Sequence, residues 1–216
     1  MINSLFEIYD PYTFVFDLSL NWFPISLVLF LFISEFWCLN SFYTAGFSLV
    51  LTFLVGEFGN FYHYKKMKTS MILFVSLFFF ILFVNILGLV PYVFACSSHF
   101  VFSVSLGFPI WLSMLFLGWL KLSNSMFIHL IPMGTPLVLI SFMALIETIS
   151  NLIRPWSLSI RLMSNMISGH LLMSLLGDCG FYLIFLQLGL FIFEFFVCFI
   201  QAFVFSALLT LYSGEV

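Results

Sequence analysis

Charged residues divide this chain into long apolar runs. No Asp, Glu, Lys or Arg occurs between Lys68 and Lys121, an interval long enough for two helices of about 20 residues and a turn. The natural division is a helix over Met71–Leu89, a turn around Pro91–His99 and a second helix over Val101–Leu120. Lys65, Lys66 and Lys68 precede this hairpin and Lys121 follows it, so the positive-inside rule puts both ends on the cytoplasmic or matrix side. Upstream, Leu18–Ser34 and Phe36–Gly56 are also free of charge. Both have the length to span, or the second lies at the interface as an amphipathic helix leading to the lysines. Downstream, Pro136–Leu176 and Phe181–Leu211 would run roughly 60 Å and 45 Å as continuous helices, against a hydrocarbon core of about 30 Å. Such lengths require strong tilt, kinks or protrusion from the hydrocarbon. Gly177-Asp178-Cys179-Gly180 supplies the turn between them.

The pattern predicts an all-α integral membrane protein of about five transmembrane helices plus one amphipathic or interfacial helix. The last two helices are long and strongly tilted and form an antiparallel hairpin. Residues 1–216 read as a single membrane domain, with 1–68 as N-terminal and interfacial helices, 69–121 as a transmembrane hairpin and 122–216 as the long hairpin.

Composition agrees. Of 216 residues, 63% are hydrophobic and 7% charged, whereas a soluble domain carries about 25% charged residues to solvate its surface. The bilayer is therefore the solvent. The 33 phenylalanines read as lipid-facing filler. Six basic residues make no electrostatic footprint for nucleic acid. Cys38, Cys96, Cys179 and Cys198 stand alone in apolar runs without CxxC spacing, as small buried hydrophobes rather than a metal site or a disulfide framework. The N-terminal MINSLFEIYDPY has neither a basic n-region nor an Arg-rich presequence. It reads as a protein made in the compartment whose membrane it enters, or as a mature chain.

The informative residues are the charges inside the apolar runs, because each costs about 2.5–3.5 kcal/mol at a helix centre on insertion scales. Glu147, Arg154, Arg161, His170 and Glu194 are of this kind, with Gln201 as a polar companion. Glu147, Arg154 and Arg161 are spaced by seven, so each step rotates only about 20° and the three form a slowly drifting stripe. Asn165 extends that face. Glu194, Gln201 and Glu215 form a second stripe on the final helix. Two antiparallel helices facing along these stripes would make a polar seam through an apolar protein. His170, nine residues past Arg161, falls about 180° around the helix and points elsewhere. One reading of these charges is purely structural pairing, Glu147 with Arg154 and Arg161 with Glu194. The other is chemical. Burial shifts the pKa of Glu and His, which can relay protons, whereas Arg stays charged. Together they suggest proton relay around a fixed positive barrier.

Ser159-Ile160-Arg161-Leu162-Met163-Ser164-Asn165-Met166-Ile167-Ser168-Gly169-His170-Leu171-Leu172 resembles the signature RLxxNxxxGHxL of subunit a of F-type ATP synthases, mitochondrial type. HLIPMGTP (His129–Pro136), IETIS (Ile146–Ser150), FEFFVCFIQAFVFSALLTLY (Phe193–Tyr212) and NILGLVPY (Asn85–Tyr92) are similar to further segments of that family, in order. The resemblance covers roughly residues 70–216, and the first 65 or so match only in hydropathy. It implies a stator subunit packed against a rotating c-ring, with two offset aqueous half-channels leading protons to and from the ring carboxylates. Arg161 would be the essential arginine separating them. Asn165, His170, Glu194 and Gln201 would line the inlet from the intermembrane space, and Glu147 and Glu215 the matrix outlet. Glu215, in the tail SGEV, also reads as a solvated C-terminus. Arg154 reads as a residue snorkelling to the interface. The implied partners are the c-ring, a peripheral stalk, other membrane-sector subunits and lipids, in the mitochondrial inner membrane. His170, where bacterial members usually carry Glu, favours that location over a bacterial plasma membrane.

Three other readings fit less well. A haem subunit needs axial histidines on neighbouring helices, but His63, His99, His129 and His170 fall mostly at loops or helix ends. A secondary transporter should show an internal repeat. A structural scaffold would not need Arg161, Glu147 and Glu194 within the membrane. The chain has no phosphate loop, so nucleotide chemistry belongs to the complex and no cofactor is expected. Proton rather than sodium coupling is the expectation, decided largely by the ring.

Overall fold

The computed structural model describes residues 9–13, 18–31, 42–61, 68–91, 93–121, 123–131, 136 and 139–215. Every regular element among them is helical: α1 (Phe23–Leu31), α2 (Phe42–Phe61), α3 (Lys68–Leu89), α4 (Phe100–Lys121), α5 (Ser123–His129), α6 (Ile140–Asp178) and α7 (Ile184–Glu215). Lys65, Lys66, His63 and residues 132–135 of the HLIPMGTP segment lie outside the described residues, as do residues 32–41, where the first two apolar runs meet.

The charge-free stretch folds as its boundaries predict, into α3 and α4 with a buried 3₁₀ turn, Cys96–Ser98, between them. Met71–Leu89, Phe100–Lys121 and Ile184–Gly214 are long and apolar enough to cross a membrane. α6 is long enough, but its polar residues make it less apolar than these three. The spans differ in surroundings: over an 18-residue apolar stretch of each, 61% of the residues are buried within the protein in α3, against 17% in α4 and 22% in α7. An α-helix that is apolar all round belongs in the centre, and α3 is there.

The two hairpins pack crosswise. α3 lies along α7, α4 along α6, and α6 against α7. The α3–α4 pair is therefore splayed, with α6 and α7 taking up the faces that a closed hairpin would have joined. Between lipid-exposed helices there is no hydrophobic driving force, so close packing and hydrogen bonds hold the bundle. Gly107 of α4 provides one such approach. A Cβ there would lie 3.2 Å from Ser159 Oγ of α6 and 3.3 Å from Phe205 Cζ of α7. The Ser159 hydroxyl is 3.0 Å from the Pro155 carbonyl and 3.3 Å from that of Ser103 across the helix pair.

Phenylalanine is more than lipid-facing filler. Phe58, Phe74, Phe78, Phe79 and Phe205 are buried in the main core with Ile81, Leu158 and Leu162. Phe58 of α2 stacks on Phe203 of α7 at 5.7 Å and meets Phe78 of α3 edge-on at 6.3 Å. These rings join three helices by geometry that aromatic pairs prefer. Phe53, Phe185, Phe193 and Phe196 face outward, as expected of filler.

The long final segments run nearly uninterrupted. α6 spans 39 residues and α7 32, about 58 Å and 48 Å. Pro155 sits inside α6 and has no N–H to offer the carbonyl of Asn151. The helix stops at Asp178, and Gly180 follows with φ +82°, the left-handed conformation that glycine adopts freely.

Candidate functional site

The α6–α7 seam carries the candidate chemistry. Passing along α6 from Arg154 to Gly169, the facing residues on α7 run back from Tyr212 to Glu194, as antiparallel helices must. Asn165 Nδ2 donates to Gln201 Oε1 at 3.0 Å, joining the two sequence stripes directly. This bond also fixes the Gln201 amide, leaving its Nε2 pointing away as a buried, unpartnered donor. Glu194 is 8% exposed and fits against Gly169. A Cβ on Gly169 would lie 2.5 Å from Glu194 Oε1, so a larger residue there would displace the carboxyl from this position.

A cavity of about 190 Å³ opens beside these groups, lined by Asn165, Gly169, Glu194, Cys198 and Gln201 of the seam and by Asn85 of α3. Three predicted site residues, Asn165, Glu194 and Gln201, thus share one space. His170 does not line it, in keeping with its position on the helix. Its ring meets Tyr9 edge-on at 6.5 Å, with Nε2 buried and unpartnered. The Tyr9 hydroxyl donates to the Ile167 carbonyl at 3.2 Å. Burial and then the nearby Glu194 charge raise the Tyr9 pKa above the ordinary tyrosine value of 10.0, so the phenol stays neutral.

A second cavity of about 550 Å³ lies towards the other end of the seam, lined by Trp111 and Trp119 of α4, by Glu147, Asn151 and Arg154 of α6, and by Tyr212 of α7. Here the structural pairing occurs. Arg154 Nη2 is 3.5 Å from Glu147 Oε1, and its guanidinium lies 5.0 Å from the centre of the Tyr212 ring. Arg154 is thus engaged by two groups within the protein rather than simply extended towards an interface. The α7 backbone reaches Glu215, whose side chain lies outside the described residues.

Arg161 lines neither cavity. It is exposed, and among the described residues it forms no ion pair, so the alternative pairing with Glu194 does not occur. Helix geometry accounts for this. Relative to Arg154, Asn165 lies about 20° towards the seam and Arg161 about 20° away from it. Leu158 and Leu162, about 40° and 80° towards the interior, are buried with Ala202 and Phe205 and fill the seam between the cavities. The guanidinium therefore sits on the outer surface beside an apolar septum, with about 11 Å of helix between Arg154 and Arg161.

Sequence reasoning missed Asn85, Gly169, Tyr9 and Tyr212 as parts of these sites. Gly169 left a signal, since glycine inside a helix costs about 1 kcal/mol relative to alanine and needs a reason such as close approach. Tyr9 left none. Among the described residues no three His, Cys, Asp or Glu side chains gather as a metal would require. Cys96 and Cys198 are buried free thiols, as expected of small hydrophobes, but Cys179 is an exposed one, because it sits in the turn just past the end of α6; Cys38 lies outside the described residues.

Residues 20–214 match the family described as ATP synthase A chain. The chain is 42% identical to ATP synthase subunit a of Aedes albopictus, 44% identical to that of Locusta migratoria and 43% identical to that of Anopheles gambiae, each over the full length of both chains. The likeness therefore extends well into the N-terminal region, which the motifs had left matched by hydropathy alone.

Proposed function

The chain belongs to the ATP synthase A chain family, a membrane-sector, proton-translocating subunit, and on that premise we propose that it is the stator channel that feeds a rotating c-ring through two offset half-channels. The protein acts as one membrane domain in the mitochondrial inner membrane, with residues 122–216 carrying the path. A proton enters through the cavity of Asn165, Glu194 and Gln201, with His170 on its approach, and neutralises a ring carboxylate. After nearly a full turn that carboxylate releases its proton through the cavity of Glu147, with Glu215 beyond it.

The observation that carries this reading is the pair of cavities separated by the Leu158–Leu162–Phe205 septum, with exposed Arg161, which forms no ion pair among the described residues, on the outer face between them. A guanidinium cannot lose its proton in a protein, so it blocks direct transfer between the cavities. It also stabilises a ring carboxylate that must stay ionised briefly in a low dielectric. The membrane potential supplies about 2.3 kcal/mol per charge for each 100 mV and sets the direction of travel. The peripheral stalk holds the chain against the torque of the ring.

The test is ATP-driven acidification of vesicles containing the complete complex, wild type against Arg161→Ala. The expected result is intact assembly with pumping abolished. Normal pumping by the variant would remove the barrier role and return the buried charges to structural pairing.

A further inference from the structure

Between Met71 and Leu89, α3 has only two polar side chains, Ser76 and Asn85. The Ser76 hydroxyl donates to the Leu73 carbonyl of its own helix. Asn85 has no such explanation. It is 1% exposed, its Oδ1 is buried without a partner among the described residues, and it lines the same cavity as Glu194 and Gln201. Glu194 Oε1 and Gln201 Nε2 are also unpartnered, in side chains 8% and 5% exposed. Two acceptors and one donor thus border a space of about 190 Å³, room for several waters at roughly 30 Å³ each in the liquid. A buried polar group is costly unless it is hydrogen-bonded. Water is the small molecule that matches this set, because it donates twice and accepts from an N–H.

We propose that Asn85 is a positioning residue of the inlet: with Gln201 it holds the water that hands the proton to Glu194. This rests on the reading of the Glu194 cavity as the inlet. The water accepts from Gln201 Nε2 and donates to Asn85 Oδ1 and to Glu194 Oε1. A proton arriving from the aqueous side makes this molecule a hydronium, whose positive charge the Asn85 carbonyl oxygen stabilises. Its O–H bond to the Glu194 side breaks as a new O–H bond forms at Oε1, leaving neutral water on Asn85 and Gln201. α3 thereby supplies a third wall to a site otherwise built by the α6–α7 hairpin, and the contribution is chemical as well as steric.

The test compares Asn85→Val with Asn85→Thr in assembled complexes, two side chains of nearly the same shape that differ by an oxygen. Asn85→Val is expected to slow ATP-driven acidification on the order of tenfold, the effect of one buried hydrogen-bonding group left unsatisfied. It should also move the pH at which the rate is half-maximal. Asn85→Thr should restore most of the rate and the wild-type pH profile. Equal rates and identical profiles for the two variants would overturn the proposal. Glu194→Gln, measured alongside, separates the two possible failures. If it also pumps normally, the inlet reading itself falls; if it stops pumping while both Asn85 variants match wild type, only the role of Asn85 falls. Should Asn85→Val not assemble, Asn85→Ala and Asn85→Ser differ by the same oxygen and decide the question by the same outcomes.

Discussion

Gly169 and Glu194 face each other across the α6–α7 seam so closely that a methyl group on the glycine would lie 2.5 Å from the carboxyl oxygen Oε1. The buried acid therefore depends on a missing side chain on the neighbouring helix. Gly169→Ala should leave α6 helical, since alanine is the better helix former, yet push the carboxyl out of place. Proton flux is expected to fall on the order of a hundredfold, the scale associated with a misplacement of about 1 Å in a reacting group. Glu194→Asp, one methylene shorter, should recover part of that loss when combined with Gly169→Ala. Vesicle acidification by the single and double variants checks this. An unimpaired Gly169→Ala complex would show that the contact does not matter.

The bond between Asn165 and Gln201 at 3.0 Å is the direct polar tie between the two stripes. Hydrogen bonds between membrane helices average about 0.6 kcal/mol and reach about 1.7, so its loss should loosen the seam without dismantling the protein. Asn165→Leu and Gln201→Leu should each lower the detergent stability of the complex. The double variant should lose less than the sum of the two, by a coupling of about that size. Strict additivity would mean that the pair is not bonded in the membrane.

Arg154 and Arg161 are seven residues apart on one helix, yet their environments predict opposite outcomes. Arg154 pairs with Glu147 in a site where the two side chains remain 29% and 39% exposed, a geometry in which an ion pair contributes at most about 1 kcal/mol. Arg154→Gln should assemble normally and keep its pumping rate within about fivefold of wild type. Arg161→Gln should pump no protons at all. Reversed results in the same acidification assay would move the barrier from Arg161 to Arg154.

At the crossing of α4 with the seam, Gly107 has little free volume on the side of Ser159 and Phe205. Gly107→Val would overpack this point at a cost of about 1–3 kcal/mol. The expected result is a reduced yield of assembled complex on native gels. Gly46, where a Cβ would meet nothing within 4 Å, should accept alanine without loss. Equal yields for the two would mean that α4 can move away from α6.

Much of the helical layout is legible along the chain. The charge-free interval between Lys68 and Lys121 predicts α3 and α4 to within a few residues at each end, because a bilayer penalises charge and rewards unbroken intrahelical hydrogen bonding. Arg161, Glu194, Gln201 and Asn165 stand out for the same reason: polar groups in apolar runs are costly and rare. Periodicity also predicts that His170 faces away from Arg161, since angles within one helix follow from its 3.6-residue turn.

What periodicity cannot supply is the rotation of one helix against another, or the space left between them. The pairing of α4 with α6 and α3 with α7, the splaying of the predicted hairpin, and the separation of the polar seam into two cavities were decided by tertiary packing. So were the engagement of Arg154 with Glu147 and Tyr212 and the exposure of Arg161. Asn85 and Tyr9 join the site from segments far away in sequence. Hydropathy records only whether a residue suits lipid or water; which partner meets it depends on the shapes of surfaces that exist once the helices have packed.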